Sequence, residues 1–121
     1  MIVTSIADPS RSQTGTRTRC LARRGMLYSE CEAFDHLRLP PGGELGPRGR
    51  EGIESAWFVL GGAGTARGAS SRELRPGDLV LAPADASVTL VAGDEGLELL
   101  WLAVLPEAVT RALPARKPAV S

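Results

Sequence analysis

The sequence contains 121 residues, with 14 basic and 14 acidic side chains and no formal net charge. This length suits a single domain that buries its own hydrophobic core, and the balanced charge gives no field to attract nucleic acid or an anionic membrane. No stretch approaches the roughly 18 apolar residues of a membrane helix, and residues 1–8 lack a charged start and an apolar signal core. The sequence therefore predicts a cytoplasmic protein without nucleic-acid or membrane partners.

Residues 1–24 are predicted to form an N-terminal arm. The segment 8–19 is rich in Ser, Thr and Arg and shows no apolar period. Ile2 and Val3 could still pair on a sheet edge, which makes them a candidate strand for exchange between two copies of the chain.

Cysteine and histidine usage excludes the common zinc-finger and redox motifs. The chain has one histidine and two cysteines, Cys20 and Cys31, which lack the spacing of a CxxC pair. Buried free thiols are therefore favoured over a disulfide.

The segment 26–39 contains the first predicted strand of the main domain. Its second half alternates, with Leu37 and Leu39 on an apolar face and His36 and Arg38 on a polar face. The polar face is either solvated or lines the inside of a barrel, and the pattern leaves both interpretations open.

Short apolar runs bounded by turns occupy most of the remaining chain. The turns 40–43 and 61–62, rich in Pro and Gly, enclose a polar segment and the run 57–60, and a Pro-Gly-Asp turn precedes the run 79–82. Further strands are predicted at 65–67, 87–91 and 97–104. Strand follows strand without intervening helices, which predicts an all-β, double-sheet barrel over residues 25–106.

Only the segment 106–113 has helical character. Pro106 suits the first turn of a helix, and Glu107 suits the positive end of the helix dipole. The sequence therefore predicts a short C-terminal helix and tail over residues 107–121.

Two of these segments resemble the two cupin motifs. In the first motif a Glu is followed, after six further residues, by a Gly, and Glu54 and Gly61 have this spacing. In the second motif, Gly77 and Pro83 match the Pro-Gly-Asp turn and its downstream Pro. The resemblance covers residues 34–106 and implies a jelly-roll barrel, also described as a double-stranded β-helix.

The customary metal ligands of the cupin motifs are mostly replaced. Arg48 and Arg50 stand where the family has two metal-binding His residues, and the position of the third His falls on or next to Val88. Arginine repels a cation and cannot ligate one. The departures predict a protein that uses no metal and no other cofactor.

Glu54 is the first candidate for acid/base chemistry. The register implied by the resemblance points Glu54 into the barrel together with Phe58, because strand side chains alternate by two. A buried carboxylate needs a partner, and Arg50 is the nearest candidate. Two interpretations stay open: a purely structural Arg50–Glu54 pair, or a general acid/base role for Glu54 with Arg50 or Arg48 binding an anionic group of the ligand.

Other residues could line the same cavity. His36 is a candidate proton carrier because imidazole titrates near neutrality, although a hydrogen-bonded core or surface histidine is the alternative. Trp57 has the opposite parity to Glu54 and is predicted to pack between sheets or at a dimer contact. The remaining predicted ligand contacts are Arg38, Tyr28, Phe58, Val88 and Trp101, of which Trp101 could instead belong to the core.

Two classes of function remain for a cupin-like barrel without metal ligands. One is an enzyme of small-molecule biosynthesis, a cyclase or isomerase acting by acid/base chemistry in the cavity. The other is a non-catalytic ligand-binding or regulatory protein. In both, the partner is a small and potentially anionic molecule. A homodimer is also predicted, because sheet edges and an apolar outer face near Trp57 and Val59 would otherwise be exposed.

Overall fold

The computed structural model describes residues 1, 11–13, 15–23, 26, 31–47, 52–84 and 86–105. These residues form eight strands: β1 (Arg11–Gln13), β2 (Thr16–Arg23), β3 (Cys31–Leu39), β4 (Glu44–Leu45), β5 (Glu54–Arg67), β6 (Ser71–Leu74), β7 (Leu79–Ala82) and β8 (Thr89–Val104). They include no helix long and apolar enough to cross a membrane. The predicted helix at 106–113 and the candidate strand at Ile2 and Val3 lie outside the described residues.

All described strand pairs are antiparallel, in the order β1-β2-β3-β8-β5-β6, with β4 also on β8 and β7 also on β5. The all-β prediction is confirmed. Residues 16–23, which the sequence assigned to the arm, form β2 and pair along β3. Their alternation of Thr and Arg suits a strand that exposes one face to solvent.

The barrel is organised around the long pair β5–β8. Residues 54–62 of β5 pair with 97–104 of β8, and residues 64–67 pair with 89–92. In the first of these regions, β5 also pairs with β7 and β8 also pairs with β3. In the second region, β5 also pairs with β6 and β8 also pairs with β4. Side chains from both regions belong to one core cluster, so the two regions of the sheet enclose a common interior.

The bend of β5 depends on Gly62. Its φ is +78°, and the strand register shifts on both sides of it. A Cβ at this position would lie 2.2 Å from the carbonyl oxygen of Gly96, which is backbone and cannot move aside alone. Only glycine fits both the left-handed conformation and the contact.

The interior face of β5 carries Trp57 and Val59, which are 2% and 0% exposed. Phe58 and Leu60 point to the opposite face and are each 39% exposed. The predicted orientation, with Phe58 inside on the same face as Glu54, is therefore wrong, whereas Trp57 packs in the core, as the first of its two predicted alternatives has it. All four residues from 57 to 60 are apolar, so their pattern could not distinguish the two faces.

The outer face of this sheet is also rich in apolar side chains. Cross-strand pairing places Phe58 opposite Leu79 and Leu100, and the next row contains Ala56, Leu81 and Leu102. Trp57 and Val59 do not contribute to this face, because both residues are buried. The apolar outer face is formed by their sequence neighbours instead.

Candidate functional site

The interior of the barrel contains a carboxylate that sequence analysis did not select. Asp35 is 0% exposed and lies on β3 between Ala33 and Leu37. Arg23 Nη2 donates to Asp35 Oδ2 at 2.9 Å, and Arg23 Nη1 donates to Asp35 Oδ1. The hydrogen bond to Asp35 raises the pKa of Arg23, against the opposing effect of partial burial. A cationic guanidinium therefore holds the buried carboxylate in a two-point contact.

Two indoles lie in the same cross-strand row as this carboxylate. On β8, Trp101 pairs with Asp35 of β3 and, on its other side, with Trp57 of β5. Trp101 Nε1 donates to Ser55 Oγ at 3.0 Å. Trp57 Nε1 is buried and has no hydrogen-bond acceptor among the described residues. A buried N–H without an acceptor costs about 1–3 kcal/mol, so this group is suited to receive an acceptor atom of a ligand.

The interior position that the resemblance assigned to Glu54 is occupied by Ser55. Counting the same motif spacing from Ser55 ends at Gly62, where the backbone accepts only glycine. At Gly61, where the sequence-based count ended, a Cβ would be 3.3 Å from the end of the flexible Glu98 side chain. The register inferred from sequence is therefore displaced by one residue, which reverses the direction of every side chain on the strand.

Glu54 lines a groove of about 250 Å³ at the ends of β5, β7 and β8. Its side chain is half-buried, and most of the groove is apolar, with Leu81, Leu102 and Val104 among the lining residues. Its predicted partner Arg50 lies outside the described residues, as do Arg48 and Tyr28. The acid/base role of Glu54 stays a prediction, but its location is not the core of the barrel.

His36 and Arg38 both contact Glu98 on the outer face. His36 Nε2 is 2.6 Å from Glu98 Oε2, and Arg38 Nη2 is 3.1 Å from the same oxygen. The His36 side chain is 3% exposed, whereas that of Arg38 is 61% exposed. The two side chains do not line the barrel interior; the alternative of a hydrogen-bonded histidine describes His36, and Arg38 lines an outer groove together with Glu98. Their roles as proton carrier and ligand contact stay predictions.

His36 and Glu54 share a sheet face without being neighbours. They lie opposite Leu100 and Val104 of β8, four residues apart, which corresponds to about 13 Å along the strand. A direct proton transfer between them is not possible at this separation.

The other predicted contacts divide between the two faces. Trp101 is 3% exposed in the interior, and Val88 is half-buried against the core. Phe58 is on the outer face. Sequence analysis therefore selected Trp101 but missed Arg23, Asp35 and Ser55. Asp35 could have been recognised as an acidic residue on the same strand face as Leu37.

The described residues do not fit a metal site of the imidazole type. They contain no group of three or more His, Cys, Asp and Glu side chains placed to hold an ion. The single histidine is bound to Glu98 on the outer face, and the interior carboxylate accepts hydrogen bonds from an arginine. Cys31 is a free, half-buried thiol whose pKa is raised mainly by burial, and Cys20 is free and exposed.

The chain matches no protein-family model and no curated protein sequence. It does match many solved structures of the double-stranded β-helix class, so the protein has the cupin fold, and the jelly-roll expectation is confirmed. A predicted oxalate decarboxylase from Thermotoga maritima is 19% identical, with a TM-score of 0.77 over 88% of this chain and 100% of that one.

Two further structures match across nearly their whole length. A Cupin 2 conserved barrel domain protein from Salinispora arenicola is 17% identical, with a TM-score of 0.72 over 93% of both chains. KdgF from Halomonas sp. is 16% identical, with a TM-score of 0.70 over 90% of this chain and 97% of that one. At these identities the comparison shows the fold alone.

Proposed function

We propose that the protein is an enzyme of small-molecule biosynthesis, a cyclase or isomerase, that uses acid/base chemistry inside the barrel without a transition metal. The observation that supports this proposal is Asp35, a fully buried carboxylate in one cross-strand row with two indoles. A neighbour of the same fold is described as a predicted oxalate decarboxylase, which is consistent with an enzyme, although fold by itself does not determine activity.

Each interior residue has a distinct role in this proposal. Trp57 Nε1 donates to a carbonyl oxygen of the ligand, and Asp35 takes a proton from the adjacent carbon and returns it at a second position. Arg23 donates to both carboxylate oxygens and fixes the orientation of the carboxylate. Ser55 fixes the Trp101 ring as a flat wall. The substrate class is therefore a small carbonyl compound with an acidic C–H group.

In this proposal the predicted arginines bind the charged group of the ligand. Arg48 and Arg50 stay the predicted partners of an anionic group, and Glu54 stays the alternative proton carrier.

A non-catalytic ligand-binding protein is the second candidate. One observation favours it: both oxygens of Asp35 accept hydrogen bonds from Arg23, an arrangement typical of a stabilising pair. In that case Trp57 still binds the ligand, but no proton moves.

Hydrogen–deuterium exchange separates the two functions. Keto sugars and β-keto esters are incubated with the protein in D₂O, and loss of the α-proton signal is followed by NMR. The enzyme is expected to accelerate exchange of at least one compound, and Asp35→Asn to reduce the rate by about 100-fold or more. Glu73→Gln, at an exposed position on β6, is the matched control.

Three results would change the assignment. A folded Asp35→Asn protein with unchanged exchange would exclude Asp35 as the base. Loss of exchange in Glu54→Gln alone would return the role to Glu54. Binding of a compound without accelerated exchange would support the non-catalytic protein.

We also expect the purified, dialysed protein to contain much less than one equivalent of iron, manganese, nickel or zinc. The physical reason is the ligand set: the described residues contain no group of three or more His, Cys, Asp and Glu side chains placed to hold an ion, and the single histidine contacts Glu98. Elemental analysis tests this directly, and a value close to one metal per chain would contradict it.

A further inference from the structure

The groove at the ends of β5, β7 and β8 combines an apolar floor with a single carboxylate. It has a volume of about 250 Å³. Glu54 is the only charged residue among the described residues that line it, and most of the others are apolar. We call it the Glu54 groove and define it by the residues Glu54, Ala56, Leu81, Leu102 and Val104.

The carboxylate of Glu54 has no counter-charge among the described residues. Asp35 and Glu98, which are also shielded from water, contact Arg23 and Arg38. No ion pair or hydrogen bond joins Glu54 to another described residue, although its side chain is half-buried. A carboxylate that is partly withdrawn from water without a counter-charge is destabilised, so it favours a ligand that brings a positive charge.

The spacing along the strands sets the size of such a ligand. Glu54 lies opposite Val104 of β8. Two residues further along β5, Ala56 lies opposite Leu81 of β7 and Leu102 of β8. Alternate side chains share a face, and two residues of a strand span about 7 Å. The apolar floor therefore suits a ligand that has its charge at one end and an apolar body about 7 Å long.

The chemistry of the lining selects the kind of cation. A metal ion prefers several oxygen ligands, whereas Glu54 supplies the single carboxylate described in the groove. An organic ammonium ion needs one carboxylate for its charge, and its hydrocarbon body replaces water over the apolar floor. Sites for drug-sized molecules measure roughly 300–1,000 Å³, so the smaller Glu54 groove suits a small amine.

We propose that the Glu54 groove binds a small organic ammonium ion, a primary amine with an apolar body, whose nitrogen donates to the Glu54 carboxylate. The apolar body lies over Ala56, between Leu81 and Leu102. These two leucines are 65% and 38% exposed, and grouped apolar side chains at a surface mark a binding site. This proposal does not depend on the proposed function, which uses the buried Asp35.

An NMR titration of the full chain with n-hexylammonium and with n-hexanol tests the proposal. The two compounds share an apolar body and differ in charge. Hexylammonium is expected to shift the backbone amide signals of Ala56, Leu81 and Leu102 and to bind about tenfold or more tightly than hexanol, because it alone forms a charge-assisted hydrogen bond with Glu54. Added salt is expected to reduce this difference.

Two variants test the charge and the floor separately. Glu54→Gln is expected to weaken hexylammonium binding by about tenfold or more and to leave hexanol binding unchanged. Glu73→Gln removes the same charge at an exposed position on β6 and is the matched control. Ala56→Leu fills the apolar part of the groove and is expected to abolish binding of both compounds. Thermal melts confirm that the variants are folded.

Several results would overturn the proposal. Equal affinity for the two compounds, or undiminished hexylammonium binding by Glu54→Gln, would exclude the carboxylate as the contact. Undiminished binding by folded Ala56→Leu would exclude the groove as the site. A chain that binds neither compound at millimolar concentration would contradict the proposal altogether, whether sedimentation finds a monomer or a second copy that covers the groove.

Discussion

Replacing Gly62 with alanine is expected to destabilise the fold by about 3 kcal/mol or more. The alanine would be strained in the left-handed backbone conformation, and its Cβ would have to displace neighbouring backbone atoms. The new Cβ would lie 2.2 Å from the Gly96 carbonyl oxygen, and Gly96 is itself confined, since a Cβ there would lie 2.7 Å from the Leu39 carbonyl oxygen. The bend that joins the two halves of β5 therefore has no room to relax. Urea unfolding measures the free energy directly.

Gly61→Ala is the matched control. The neighbouring position is not in the left-handed region, and the nearest atom to its Cβ would be Glu98 Oε1, at the end of a flexible side chain. We expect a change within about 1 kcal/mol. Equal losses in the two variants, or a larger loss at Gly61, would contradict the register and return Glu54 to the interior.

Arg23→Met is expected to destabilise the protein by about 3 kcal/mol, because Asp35 loses its guanidinium while remaining buried. The Arg23 side chain is 44% exposed, so the expected loss of stability lies toward the low end of the range for buried ion pairs. The double variant Arg23→Met/Asp35→Asn is expected to recover much of the loss, since it removes both charges. Unfolding curves for the single and double variants give the coupling energy.

Arg38→Met provides the comparison on the outer face. Its side chain is 61% exposed, and the pair with Glu98 is open to solvent, so we expect a change of about 0.5 kcal/mol or less. A small effect of Arg23→Met, similar to that of Arg38→Met, would show that the Asp35 contact does not contribute to stability.

The pH dependence of the Arg23 contribution follows from the direction of its pKa shift. The folded-state pKa is raised above the ordinary value of an arginine, so the stabilisation is fully present at every pH below that ordinary value. It is lost only as the pH rises through the folded-state pKa. Arg23 is therefore expected to make no contribution to the pH dependence of wild-type stability between about pH 6 and pH 9.

The sequence predicted the fold better than it predicted the site. Glycine and proline at turns such as Gly77 and Pro83 delimit short apolar runs, and these local signals are sufficient to identify strands. Whether a strand side chain points inward depends on one residue of register. The run 57–60 is apolar on both faces, so the motif was the only guide there, and Glu54 with Gly61 was the pair that matched both its Glu and its Gly.

The interior residues were harder to find because their contacts are distant in sequence. Trp57 and Trp101 meet through the pairing of β5 with β8, and Asp35 reaches the same row through β3. Arg23 lay in the segment 1–24, which was assigned to an arm because residues 8–19 show no apolar period. Only tertiary pairing indicates that these side chains share one interior.

The long β5–β8 pair also determines the order in which the barrel can assemble. Leu37 and Val59 both pair with Leu99, 62 and 40 residues later in the chain. During synthesis, the apolar sides of β3 and β5 therefore remain exposed until β8 has left the ribosome. Such distant pairings place folding in the millisecond-to-second range, with loop closure limiting the rate. Chaperones that bind extended apolar segments are consequently expected to associate with nascent chains that end before residue 97.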